Sequence, residues 1–136
     1  MKFSILPMIS SAMAVSISYD TVYGNAGQSM DTVVCSNGDF GLAAKYPTLG
    51  DLPAFPNVGG IPDIIDWNND QACGTCWKVT VPNRNPIFIL GVDSGKGNFN
   101  VSPQAFIELT GSTEAGRVND IQYEKVTVDN CKMPVA

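Results

Sequence analysis

The sequence predicts an all-β domain with short helices, a small β-barrel carrying one or two of those helices at its rim. Three observations carry that reading. Segments of alternating apolar, β-branched and aromatic residues recur along the chain. The 13 glycines and 9 prolines are spread through it rather than gathered in one linker, as short strands joined by shaped loops require. Complete helix punctuation occurs at only one place, around residues 102–111.

The first segment, "MKFSILPMISSAMA", combines one lysine, a short apolar stretch and Ala12-Met13-Ala14. That is the layout of a signal peptide over residues 1–14, cleaved after Ala14, and its apolar part is too short to span a bilayer. The expected mature chain, 15–136, is one secreted domain, long enough to bury roughly two-thirds of its unfolded surface.

"VSISY" (15–19) alternates and reads as a strand, and "DTVVCS" (31–36) is a second candidate. Residues 36–75 form a long loop-rich region with a helical turn at 41–46. "WKVTV" (77–81), the turn "PNRNP" and "IFILGV" (87–92) predict two strands, the second buried. In "VSPQAFIELTG" Ser102 is placed as N-cap, Pro103 at the first helical position and Gly111 as the stop, with Ala105, Phe106 and Leu109 as the apolar face. "DIQYEKVTVDNC" (120–131) closes the chain with an alternating strand.

Charge and composition exclude several functions. Eight Lys and Arg against 13 Asp and Glu give a net charge of −5, the wrong sign for nucleic acid or an anionic membrane surface. There is no histidine, which removes serine–histidine and cysteine–histidine catalysis within the chain and the commonest metal ligand. No cofactor and no metal are expected.

The four cysteines are Cys35, Cys73, Cys76 and Cys131. In a secreted chain an even count is read as a disulfide framework. A zinc site would need a second Cys-x-x-Cys, and a redox pair would open a helix, whereas "CGTCW" runs into a strand pattern. Three pairings are possible. Cys73 and Cys76, three apart, point to opposite faces if extended, which disfavours the local bond. Cys35–Cys73 with Cys76–Cys131 is the pairing taken here.

Asp93 ends the "IFILGV" strand and opens "DSGKGNFN", where Ser94, Asn98, Asn100 and Ser102 supply amides and hydroxyls. A turn-forming aspartate is the plainer interpretation. Tyr19, Asp20, Tyr23, Trp67 and Trp77 are further acidic and aromatic candidates for sugar contacts; Trp77 reads as core and Trp67 as the exposed ring. Glycoside hydrolysis needs two carboxyl groups, and this loop has one.

"SISYD", "VVCSNGDFGL", "YPTLGDLPAFPNVGGIPDI", "CGTCWKVT" and "GVDSGKGNFNVSPQAFIELTGSTEAGRV" together resemble the cerato-platanin family of small secreted fungal proteins. The resemblance covers essentially the whole expected mature chain. It implies a six-stranded double-psi β-barrel, two disulfides, and a secreted or fungal-wall location. It also implies non-catalytic binding of chitin-type N-acetylglucosamine oligomers, self-association at surfaces, elicitation of plant defence and, with it, a plant receptor. The same barrel is similar to the catalytic-like domain of expansins, whose two aspartates fall at Asp93 and at Asn100 of "FNVSPQAF". With an amide at the second position the general acid is missing, so Asp93 is expected to orient a ligand. Asn100-Val101-Ser102 is also an N-glycosylation sequon, expected to stay unmodified because Pro103 follows.

The expected carbohydrate groove is bordered by Asp93, Asn98, Asn100 and Tyr19, with Asp20 and Asn37 at its edge. In that reading Asp93→Ala weakens binding and leaves stability nearly unchanged; a purely turn-forming Asp93 reverses the two effects. The alternatives are a surface-active structural protein of the fungal wall and a weak polysaccharide hydrolase.

Overall fold

The structure, a computed structural model, describes residues 14–67 and 70–135. The signal-peptide expectation therefore lies outside the described residues, apart from Ala14. Seven strands form one sheet: β1 (Ile17–Tyr19), β2 (Val58–Ile61), β3 (Cys76–Thr80), β4 (Ile87–Ser94), β5 (Phe99–Val101), β6 (Arg117–Val118) and β7 (Gln122–Val126). Their order is β6-β1-β5-β2-β4-β3-β7. The β1–β5 and β2–β4 pairs are parallel and the others antiparallel.

The sheet curls on itself. In a flat sheet β5 and β7, four strand spacings apart, would lie about 19 Å from each other. The rings of Phe99 on β5 and Tyr123 on β7 instead stand 5.4 Å apart, both against Trp77 of β3. A backbone hydrogen bond of 3.0 Å from Ile121 N to Val15 O ties the chain entering β7 to the chain entering β1.

Curling gives the sheet two apolar faces. Inside lie Ile17, Ile61, Trp77, Ile89, Phe99 and Val101, closed off by the one α-helix among the described residues, α1 (Pro103–Thr110). This helix has the expected limits: the Ser102 side chain accepts from Ala105 N, and Gly111 stops it at φ 96°. Its buried face is the expected Ala105, Phe106 and Leu109, each buried side chain of this kind contributing roughly 1.5–3 kcal/mol for the larger two. Outside, Val58, Leu90 and Val92 pack under Tyr23, Met30, Leu49 and Leu52 of the long segment between β1 and β2.

The two disulfides follow the two faces. Cys35–Cys73 sits with the inner core and Cys76–Cys131 with the outer one, the expected pairing. The expected cause differs: Cys73 lies in a turn with Gly74 at φ 79°, and β3 begins only at Cys76, so the turn and not strand alternation sends the two sulfurs apart.

Two expectations change. "DTVVCS" is no strand: Met30–Thr32 is a 3-10 turn capped by Ser29 and closed by Val33 N on Met30 O, and the donors of Val34 and Cys35 then go singly to β4. Val34 N bonds the Asp93 carboxylate at 3.0 Å and Cys35 N bonds Val92 O at 3.1 Å, while Val33 and Val34 bury into different cores. Conversely, the supposed loop contains the central strand β2, four buried residues of sequence VGGI. The 41–46 segment is the expected helical turn, with Tyr46 N on Leu42 O at 2.8 Å.

Candidate functional site

Strand register draws a line of partners across five strands. Arg117 of β6 opposes Ser18 of β1, Ser18 opposes Asn100 of β5, Asn100 opposes Gly60 of β2, and Gly60 opposes Asp93 of β4. Register partners share a face, so these residues form one row. Ser18 Oγ donates to Asn100 Oδ1 at 3.1 Å. One step away, Ser16 N donates to Asn98 Oδ1 at 2.9 Å, and Arg117 Nη1 donates to Ser16 Oγ. The row is thus a ladder of amides and hydroxyls with a guanidinium at one end and a carboxylate at the other.

Gly60 keeps the carboxylate and the amide apart. A Cβ there would lie 2.7 Å from Ser94 O and 2.9 Å from Gly95 N, both backbone atoms, so the position must stay bare.

Asp93 owes its direction to a register shift between Gly59 and Gly60. Regular alternation would aim it with Ile89 and Gly91 toward the inner core. The shift turns it outward, as bulges do, to meet Tyr23 of the outer core. Its carboxylate is used three times: Oδ2 accepts the Tyr23 phenol at 2.6 Å, and Oδ1 accepts Val34 N at 3.0 Å and Ser94 N at 2.9 Å. Burial, and after it the hydrogen bond to Asp93 and the charges of Asp93 and Asp20, push the Tyr23 phenol far above its usual 10.0. Asp93 is therefore a strut joining β4 to two distant segments, while the turn that follows is held by Ser94, whose hydroxyl accepts Lys96 N at 3.1 Å. The three bonds to the Asp93 carboxylate lead us to expect that its removal costs stability, where the sequence reading expected a nearly unchanged fold.

The other expected residues divide. Asp93, Asn98 and Asn100 come together on the row. Tyr19 does not join them: it pairs with Val101 in register and packs on Phe106 at 5.1 Å, on the inner side. Asp20 caps the 3-10 turn Thr21–Gly24 by accepting Val22 N at 3.0 Å, close to Tyr23. Asn37 is exposed, three residues beyond Val34. Trp77 is buried at 7 % exposure with Nε1 on Thr75 Oγ1 at 2.8 Å, and Trp67 is exposed at 58 %, both as expected.

Sequence reasoning missed Ser16, Ser18 and Arg117, although the alternation in "VSISY" places both serines on one face. Tyr23 was singled out for sugar contacts, whereas its hydroxyl is committed to Asp93. The row holds one carboxylate and no second within it. Among the described residues no group of three or more Cys, Asp or Glu side chains could hold a metal ion.

Comparison with known proteins agrees with this architecture. The cerato-platanin family model matches residues 15–133. The chain is 67 % identical over 131 residues to cerato-platanin of Ceratocystis fimbriata f. sp. platani, covering 96 % of each. It is 35 % identical to a heat-stable 19 kDa antigen of Coccidioides immitis, over 96 % of this chain and 98 % of that one. Among solved structures, the solution structure of the fungal elicitor cerato-platanin superposes with a TM-score of 0.80 at 64 % identity, covering 86 % of this chain and 96 % of that one. Cerato-platanin 1 from M. perniciosa gives 0.80 at 38 % identity, covering 86 % and 98 %. A chain that shares its sequence along nearly its whole length with these proteins, and its curled sheet with their structures, belongs to the cerato-platanin family.

Proposed function

We propose that this protein is a secreted, non-catalytic carbohydrate-binding protein of the fungal wall, one that takes N-acetylglucosamine oligomers of chitin and elicits plant defence. The observation that carries the reading is the row Arg117–Ser18–Asn100–Gly60–Asp93, with Asn98 and Ser16 beside it. Sugar hydroxyls and acetamido groups need many neutral donors and acceptors along an open strip, and one carboxylate suffices to orient them. The elicitor role draws on the similarity to a structure described as that of a fungal elicitor.

Hydrolysis is disfavoured by the same row. A general acid would be needed where Asn100 stands, and an amide has no proton to give to a leaving oxygen. Binding is weak, because exposed hydrogen bonds each contribute only about 0.5–1.5 kcal/mol net. Residue-resolved titration with chitotetraose tests the reading. Saturating shifts at Asp93, Asn98 and Asn100 support it, and a flat response along the row removes it.

A second reading, self-association at surfaces, draws on Ile65 and Trp67, exposed at 74 % and 58 %. The loop that presents them is held by Asp70, whose carboxylate accepts Ile65 N, Asp66 N and Ala72 N at 2.7, 3.0 and 2.9 Å. Interfacial-tension measurements on Trp67→Ser test it: a film as strong as that of the unaltered protein eliminates this loop as its source.

A further inference from the structure

At the other end of β4 from Asp93, about 20 Å away by strand rise, lies a cleft of about 680 Å³. The turn between β3 and β4 forms one wall, Glu108 of α1 another, and Asp120 with Gln122 at the start of β7 a third. A second cavity, of about 330 Å³, adjoins it through Glu108 and carries the half-buried rings of Phe55 and Phe88. The larger cleft is within the range of about 300–1,000 Å³ that holds a small organic ligand.

Two features set this cleft apart from the Asp93 row. On the row, side-chain oxygens are spent on partners within the chain: three bonds at Asp93 and one each at Asn98 and Asn100. In the cleft, the side chains of Asn83, Arg84, Asn85, Asp120 and Gln122 make no hydrogen bond or ion pair to any described residue. Their donors and acceptors face solvent unspent. The second feature is backbone conformation. Of the four non-glycine residues with positive φ among those described, Asn83 (64°), Asp120 (55°) and Lys132 (64°) all line these two cavities. Such conformations are uncommon and cluster where a surface is shaped for use.

We propose that this cleft is a second carbohydrate site, for a neutral oligosaccharide of several sugar units. Its chemistry selects the ligand. Three amides and Thr80 offer neutral donors and acceptors, while the Arg84 guanidinium supplies five fixed donors for hydroxyl and ring oxygens. Glu108 and Asp120 accept from hydroxyls and repel an anion, so a uronate or phosphate is disfavoured in a protein of net charge −5. Phe55 and Phe88 give an adjoining sugar ring an apolar face to lie on. Together with the row near Asp93, the molecule would hold two polysaccharide chains at once and bridge them.

The test is a titration followed at the backbone amides of Asn85 and Gln122, with cellotetraose and chitotetraose as neutral probes and tetragalacturonate as the acidic one. The expected result is saturating shifts with at least one neutral probe, weakened about fivefold in Arg84→Ala while shifts at Asn98 and Asn100 are unchanged. Arg84 is exposed and bonded to nothing within the described chain, so this substitution leaves the fold intact. No shift at Asn85 and Gln122 with either neutral probe, shifts insensitive to Arg84→Ala, or tighter binding of tetragalacturonate each overturns the proposal. Shifts at Asn85 and Gln122 with none along the Asp93 row would keep this site and remove the other.

Discussion

The Tyr23 phenol donates to Asp93 Oδ2 across 2.6 Å, joining the 3-10 turn after β1 to the end of β4. Tyr23 is 5 % exposed, so the bond is shielded on one side and its donor has no alternative partner in water. The pair holds the carboxylate end of the polar row against the outer core.

Removing the phenol hydroxyl should destabilise without emptying the row. Tyr23→Phe is expected to cost roughly 1.5–3 kcal/mol in denaturant unfolding, the range for a hydrogen bond to a charged acceptor. Chitotetraose affinity should fall less than for Asp93→Ala, since Val34 N and Ser94 N still hold Oδ1. A Tyr23→Phe protein as stable as the unaltered one would show that the bond contributes nothing.

The same pair makes an alkaline prediction. The folded-state value of Tyr23 lies above the unfolded one, near 10.0, so its contribution is complete below pH 10 and is lost as pH rises beyond it. In ultraviolet titration at the phenolate band, one tyrosine should ionise only together with unfolding, and in Tyr23→Phe that late step should vanish.

For Asp93→Ala, both affinity and stability should fall. Three part-buried donors lose their acceptor at once, which costs roughly 2–4 kcal/mol. Calorimetry and chitotetraose titration on the same variant check this; an unchanged Tm would contradict the strut.

Acid should loosen the loop that presents Ile65 and Trp67. Burial works against the Asp70 charge, but the backbone donors of Ile65, Asp66 and Ala72 outweigh it and hold the carboxyl below its usual 3.8. A depressed value stabilises above pH 3.8 and is lost as pH falls through the folded-state value. Amide exchange at Ile65, Asp66 and Ala72 should therefore accelerate in acid, and Asp70→Ala should show the fast exchange already at neutral pH.

Each disulfide closes a long loop, of 38 residues for Cys35–Cys73 and 55 for Cys76–Cys131. In the chain-entropy model either is worth about 4 kcal/mol. Replacing one pair with alanine should lower the unfolding free energy by that order, and peptide mapping without reduction should recover no Cys73–Cys76 bridge.

What the sequence determined by itself was local. Ser102, Pro103 and Gly111 set the limits of α1 because caps and a left-handed stop act through neighbouring backbone groups. The β-branched runs marked β3 and β4 for the same local reason. The disulfide pairing agrees with the expectation, but a turn with Gly74 at φ 79°, not strand alternation, parts Cys73 from Cys76. Tertiary structure decided the rest. VGGI becomes a central strand because its neighbours on both sides, β5 and β4, pair with it and bury all four residues, an outcome no propensity for glycine supplies. The register shift beside Gly60 sends Asp93 outward to Tyr23, seventy residues away in the chain. Tyr19, adjacent to Ser18 in sequence, is carried to the opposite face by the same pleat that brings Ser18 to Asn100. The amides around Arg84 meet Glu108 and Gln122 only because the sheet curls and sets α1 over its end. Periodicity is written in neighbouring residues; which faces meet depends on contacts between distant ones.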